Sequence, residues 1–195
     1  MKLQEWKRLS AALGMLLCAS LGVTLALLLM EGRWREAIPL HLCSLSALAA
    51  IRLAFSPRQA LLDFLWYLGM PGAALALVFP APAVSGHQAL LDASYTVTHA
   101  LILVISSLCM ARGMRPQKGK SRAMMGMLLV IAAVAGAVNR RLGTDFLFLA
   151  APPAGTPLEA VFDAGYPAYL AFLFAMMLAL CLIMDALAGG WKRRK

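Results

Sequence analysis

"SAALGMLLCASLGVTLALLLM", residues 10–30, is the run from which the architecture follows. It runs 21 residues without a charge. A helix rises about 1.5 Å per residue, so about 20 apolar residues cross a bilayer's hydrocarbon core. Lys2, Lys7 and Arg8 precede the run, as in a signal peptide. The run is longer than a typical signal core, however, and no small-residue cleavage site follows it. Leu17 directly before Cys18 also argues against a lipoprotein cleavage box. The segment reads as a retained first transmembrane helix.

The rest of the chain repeats that pattern. Of its 195 residues 62% are hydrophobic and 14% charged, more apolar side chain than a soluble domain of this size can hide. Six spans are expected, at about 10–30, 38–55, 59–79, 89–112, 122–141 and 165–188, forming one all-α transmembrane domain over 1–195. The second begins at Pro39, a residue suited to a helix's first turn. The third carries Gly69, Pro71 and Gly72, so a kink is expected there.

The net charge of +9 raises the question of nucleic acid. The basic residues, though, sit in short segments between apolar runs, where they set topology and meet lipid headgroups. Fourteen of the eighteen fall on one side of the six-span arrangement: Lys2, Lys7, Arg8, Arg52, Arg58, Arg112, Arg115, Lys118, Lys120, Arg122, Lys192, Arg193, Arg194 and Lys195. Only Arg33, Arg35, Arg140 and Arg141 fall on the other. The positive-inside rule then places both termini in the cytoplasm. Trp6, Trp34 and Trp191 fall at the expected interfaces, and the closing "GGWKRRK" reads as a stop-transfer anchor. Ser10, Gly14, Cys18 and Gly22 form a stripe of small residues, which permits close helix packing inside the bundle or against a partner subunit.

Ionisable groups inside a membrane are expensive and point to function. His41 and Cys43 stand near the outer end of the second span, in "IPLHLCSLSALAAI" (38–51). Two residues apart on a helix is about 200°, so they face nearly opposite ways unless Pro39 unwinds the start. Cys43 and Ser46 share a side. On the fourth span Asp92, Tyr95, Thr96 and His99 are spaced to share one face. Asn139, Arg140 and Arg141 end the fifth span, and a re-entrant dip of the apolar loop after it would bring Asp145 to the same level. A thiol, an imidazole, an amide and carboxylates thus converge on the outer half of the bundle. A nucleophilic site needs such a set, with a thiolate to attack and an imidazole to move the proton. We take Cys43 as the nucleophile and His41 as a supporting residue. Buried cysteine is more often a small hydrophobe, the reading given to Cys18, Cys109 and Cys181. No nucleotide loop, dinucleotide fingerprint or metal-ligand set is present, so neither cofactor nor metal is expected.

"PLHLC" (39–43) on a second helix, a lone histidine along the fourth (His99), "NRRLGTDFLFL" (139–149) and "YPAYL" (166–170) together resemble the YwaF family of bacterial membrane proteins, over roughly 38–185. The resemblance extends to a eukaryotic phospholipid acyltransferase with a membrane-embedded cysteine, and distantly to androgen-induced lipid hydrolases. It implies Cys43 as nucleophile and His99 as base. The convergent polar set assigns His41, Tyr95, Asn139 and Asp145 to binding or orienting substrate. The resemblance also implies a multi-pass protein of the bacterial cytoplasmic membrane, whose partners are lipids and an acyl chain rather than nucleic acid. Ser44 stands where that family usually has an acid, and Asp145 and Phe146 where it has asparagine and tyrosine. The expected function is acyl transfer or ester hydrolysis on membrane lipids. The alternative is a non-enzymatic subunit, such as a substrate-capture component of an uptake system.

Overall fold

The computed structural model describes residues 3–81 and 83–190. Lys2, Trp191 and the basic tail 192–195, used above for topology, lie outside the described residues. Among the described residues every regular element is helical: α1 (Leu3–Met30), α2 (Leu42–Phe55), α3 (Gln59–Phe64), a π-helical turn (Leu65–Gly69), α4 (Met70–Val78), α5 (Gln88–Ala111), α6 (Ser121–Leu142), a 3-10 turn (Phe146–Phe148), α7 (Leu158–Phe162) and α8 (Tyr166–Gly190). The π turn joins α3 and α4 into one run, Gln59–Val78. That run and α1, α5, α6 and α8 are each long and apolar enough to cross a membrane, and α2 is a shorter apolar helix. The protein is an all-α, multi-pass membrane protein.

Two starts and kinks differ in detail from the sequence expectation. The second helix begins at Leu42, three residues after Pro39, because the chain is still turning there: the Leu40 N–H donates to the Ile38 carbonyl at 2.8 Å. At 14 residues α2 is only about 21 Å long, short of a ~30 Å hydrocarbon core. The kink expected near Gly69 takes the form of the π turn, which ends on that residue. A Cβ on Gly69 would lie 3.1 Å from the Ser46 Oγ and 2.8 Å from Leu65 Cδ2, so glycine lets the turn press onto α2.

The chain forms two compact units, 1–116 and 117–195. In the first, α1 packs on α2 and α5, and α5 also packs on α2 and α4. Hydroxyls knit these helices. Ser10 donates to the Ala54 carbonyl at 2.8 Å. Ser20 donates to the Ser94 carbonyl at 2.9 Å, so its single proton is engaged and it accepts from Thr98 at 2.9 Å. Ser94 donates to the Leu91 carbonyl and accepts from Thr24 at 2.8 Å. The small-residue stripe on α1 divides. Gly14 lies against Ala54 and Phe55, while Cys18 and Gly22 are exposed.

These contacts sort the unit into two ends. At one end the start of α1 meets the end of α2, and Gln59 at the start of α3 donates to the Arg115 carbonyl just beyond α5 at 2.8 Å. Lys7, Arg8, Arg52, Arg58, Arg112 and Arg115 belong to these segments. At the other end the loop after α1 meets the loop before α5. The Glu31 carboxylate accepts from the Ser85 hydroxyl at 2.5 Å and the Gly86 N–H at 2.9 Å, and Arg33 donates to the Val84 carbonyl. The Ser85 hydroxyl, then the Gly86 N–H and Arg33, hold the Glu31 carboxyl below its ordinary pKa, against a smaller opposing effect of burial.

In the second unit α8 packs on α6 and α7, and the 3-10 turn packs on α6. Gly143 closes α6 in the left-handed conformation (φ 66°, ψ 34°), its N–H donating to the Asn139 carbonyl at 2.9 Å. That conformation disfavours a side chain and makes glycine the usual residue after a helix.

Candidate functional site

The first turn of α2 carries Cys43. Its preceding residue but one, His41, is the helix N-cap with extended backbone (φ −68°, ψ 146°) and makes no side-chain cap. The expected helical opposition of His41 and Cys43 therefore does not arise, because His41 stands outside the helix. A helix start leaves backbone N–H groups pointing out of the first turn, and the His41 side chain makes no cap bond to them. Cys43 lies beside them, against the hydroxyl and N–H of Ser44. It is half-buried, whereas Cys18 is exposed and Cys109 and Cys181 are buried. Ser46, one turn on, is buried against Gly69, and its hydroxyl has no hydrogen-bond partner among the described residues.

Across from α2, α5 supplies Tyr95 and His99. Four residues apart, they stack with ring centroids 4.2 Å apart and planes at 42°. His99 is buried at 3% exposure. Its Nδ1 lies 2.7 Å from the Tyr95 carbonyl oxygen. A carbonyl only accepts, so Nδ1 carries the proton and Nε2 keeps its lone pair. Tyr95 is fixed in turn. Its hydroxyl donates to the Ala76 carbonyl in the last turn of α4 at 3.2 Å and accepts from the Ala81 N–H at 3.4 Å. Helix ends leave such carbonyls without intrahelical partners.

Of the four residues expected on one face of this helix, only Tyr95 and His99 come together. Asp92 and Thr96 are exposed, and Asp92 accepts from Gln88 one turn back at 2.7 Å. The buried face runs instead through Leu91, Ser94, Thr98, Ile102 and Ile105, toward α1 and the core.

Asn139 and Asp145 lie in the second unit, and each organises its own loop. Asn139 is buried. Its Nδ2 donates to the Phe146 carbonyl at 3.0 Å, and its Oδ1 accepts from the Phe146 N–H at 2.8 Å and the Thr144 hydroxyl at 3.0 Å. The Asp145 carboxylate accepts from the N–H groups of Ala150 and Ala151 at 2.8 and 3.2 Å. Leu147 and Phe148 take positive φ inside this turn, and the Tyr169 hydroxyl donates to the Phe148 carbonyl at 2.6 Å. The loop after α6 is thus folded on itself.

Two features escaped the sequence reading. Asp63, 3% exposed, sits within an apolar span and accepts from Gln59 at 2.8 Å. An acid inside a span was signal enough to single it out. The Ser20–Thr24 and Ser94–Thr98 pairs, each spaced by four, were also legible as hydroxyl faces.

The family model for the TMEM164 family matches residues 2–185 of this chain. An uncharacterized protein of Treponema pallidum (strain Nichols) is 32% identical over 186 residues, covering 94% of this chain and 74% of that protein. No solved structure matches the chain.

Proposed function

The chain belongs to the TMEM164 family, and on that premise we propose a lipid-active enzyme that transfers an acyl group through Cys43, with His99 as the base. The observation that carries this reading is the Nδ1–H bond of His99 to the Tyr95 carbonyl. It leaves the Nε2 lone pair on a buried ring of α5, the helix that packs on α2, whose first turn carries Cys43. The closer placement beside the YwaF proteins, a single six-helix body with both termini in the cytoplasm, and a bacterial inner-membrane location belong to the same proposal.

The chemistry runs in two balanced halves. His99 Nε2 takes the Sγ proton, and the thiolate adds to the ester carbonyl of a lipid. The N–H groups of the first turn of α2 stabilise the oxyanion, as helix N-termini do for anions. The adduct collapses, the lyso-lipid oxygen leaves with the proton from His99, and a thioester remains on Cys43. An acceptor hydroxyl, from a second lipid or water, then gives its proton to His99 and attacks the thioester. Cys43 leaves as thiolate and takes that proton back. Tyr95 positions the imidazole, and His41 lies at the mouth of the helix. Catalytic hydrogen bonds are often long before substrate binds, so the reading requires Nε2 to close on Sγ in the complex.

A second reading, a non-enzymatic binding subunit, is favoured by the exposed half of the α1 stripe, Cys18 and Gly22, which a partner helix would fit. Reconstituted protein with a labelled phospholipid donor and a lyso-lipid acceptor separates the two. Cys43→Ala is expected to reduce transfer to background and His99→Ala to slow it by about 10²–10⁴-fold, with Cys18→Ala unaffected. A lipid-like electrophile should label Cys43 ahead of Cys109 and Cys181. Turnover that survives Cys43→Ala refutes the nucleophile. No turnover, with Cys43 no more reactive than the other cysteines, refutes the nucleophile and makes the binding reading the better one.

A further inference from the structure

Four buried serines of the first unit donate to backbone carbonyls. Ser10 and Ser20 reach across to neighbouring helices. Ser94 and Ser106 stay on α5, Ser106 donating to the Ile102 carbonyl at 2.7 Å. That last bond, to the carbonyl one turn back, is a common arrangement for a helical serine. Ser46 departs from it. It is 1% exposed on α2, yet its hydroxyl has no hydrogen-bond partner among the described residues. Its Oγ faces the π turn, where a Cβ on Gly69 would lie 3.1 Å away. A buried donor left unpaired is destabilising. The Oγ is also closed to solvent, so no water or ligand satisfies it from outside. Its partner has to come from the fold itself.

The same helix supplies one. Cys43 stands three residues before Ser46, one turn nearer the start of α2. Residues three apart share a helix face, with Cβ atoms about 5–6 Å apart. A hydroxyl and a sulfur that extend toward each other span that gap. A thiol is a weak acceptor, so in the resting state Ser46 has little reason to turn to it. A thiolate is a strong one, because an ionised acceptor makes a shorter and stronger bond. We propose that Ser46 is a hydrogen-bond donor to the Cys43 thiolate: as the Sγ proton leaves, the Ser46 hydroxyl turns about χ1 from Gly69 toward Sγ. The inference rests on the reading of Cys43 as nucleophile. Ser46 keeps its own proton throughout, and the Sγ proton still passes to His99. Turning between staggered wells needs no backbone movement. The thiolate arises twice in the cycle, on attack and on departure from the thioester, so the donor serves both halves.

The test separates chemistry from packing. The full chain in detergent is treated with iodoacetamide, which reacts with thiolates. Mass spectrometry follows the alkylation rate of Cys43 beside those of Cys109 and Cys181 in the same molecules, and thermal unfolding is measured in parallel. The variants are Ser46→Ala, Ser46→Thr, which keeps a hydroxyl, and Ser106→Ala. Ser46→Ala is expected to slow Cys43 alkylation about ten-fold, the effect of one hydrogen bond to a charged group. Its melting temperature should not fall, because the hydroxyl it removes is unpaired in the resting fold. Ser46→Thr should restore the rate. Ser106→Ala should do the reverse of Ser46→Ala, melting earlier with the Cys43 rate unchanged. Should threonine crowd Gly69, those opposite responses decide. Slowing in Ser46→Ala that comes with a lower melting temperature marks Ser46 as a packing residue and overturns the donor. If wild-type Cys43 outpaces Cys109 and Cys181 and Ser46→Ala matches wild type, the nucleophile stands and the donor alone falls. If wild-type Cys43 is no faster than those two, the nucleophile fails and the donor with it.

Discussion

The two units are held together by different means. In 1–116, helices meet face to face, and serine and threonine hydroxyls bridge α1 to α2 and α5. Half of the apolar window of α5 is buried. In 117–195 the long helices bury little, 11% for α6 and 6% for α8, and the polar bonds concentrate in the loop between them. Their outward surfaces are the apolar kind that hydrocarbon solvates. Helix association in lipid has no hydrophobic drive of its own and depends on close packing and interhelical hydrogen bonds. The first unit therefore has the means to hold the buried His99 in a fixed setting. Among the described residues, the second is marked by a loop that its side chains hold.

Breaking the loop should have the largest effect on stability. Asn139→Ala strands the buried N–H and carbonyl of Phe146, and unpaired buried groups cost about 1–3 kcal/mol each. The expected result is a lower melting temperature and early proteolysis after α6, with the first unit still protected in hydrogen exchange. Simultaneous loss of protection in both units would show that they fold as one.

Packing comes next. A Cβ on Gly14 would sit 3.0 Å from Ala54 Cβ and from Phe55, while Gly22 has nothing within 4 Å. Gly14→Leu should destabilise by about 1–3 kcal/mol, and Gly22→Leu should leave thermal unfolding unchanged. Equal losses would mean that the outer half of the stripe is also packed in the membrane. A smaller effect is expected from Ser20→Ala, about 0.6 kcal/mol by the average for interhelical hydrogen bonds in membranes, measured as a shift in unfolding midpoint.

The smallest effect belongs to the loop clamp at Glu31. Its carboxyl is held below the ordinary value, so its contribution is complete above the unfolded-state pKa and is lost as pH falls through the lower folded-state value. Wild type should therefore melt above Glu31→Gln at neutral pH, and the two should converge on acidification. A difference that persists in acid would place the effect in packing rather than charge.

The sequence alone determined that the chain is a helical membrane protein, because hydrocarbon leaves no unpaired backbone and long apolar runs have few other solutions. It also singled out candidate site residues, since an imidazole or a thiol in such runs stands out residue by residue. Which of them meet depends on how the helices start and turn in three dimensions. The start of α2 at Leu42 put His41 outside the helix, and the rotation of α5 kept Tyr95 and His99 while turning Asp92 and Thr96 outward. Asn139 and Asp145 looked like site residues and are engaged in their own turn. The physical reason is angular. Each residue turns a helix by about 100°, so a start shifted by three residues, or a modest rotation, exchanges buried faces for exposed ones while leaving the hydropathy of the span almost unchanged.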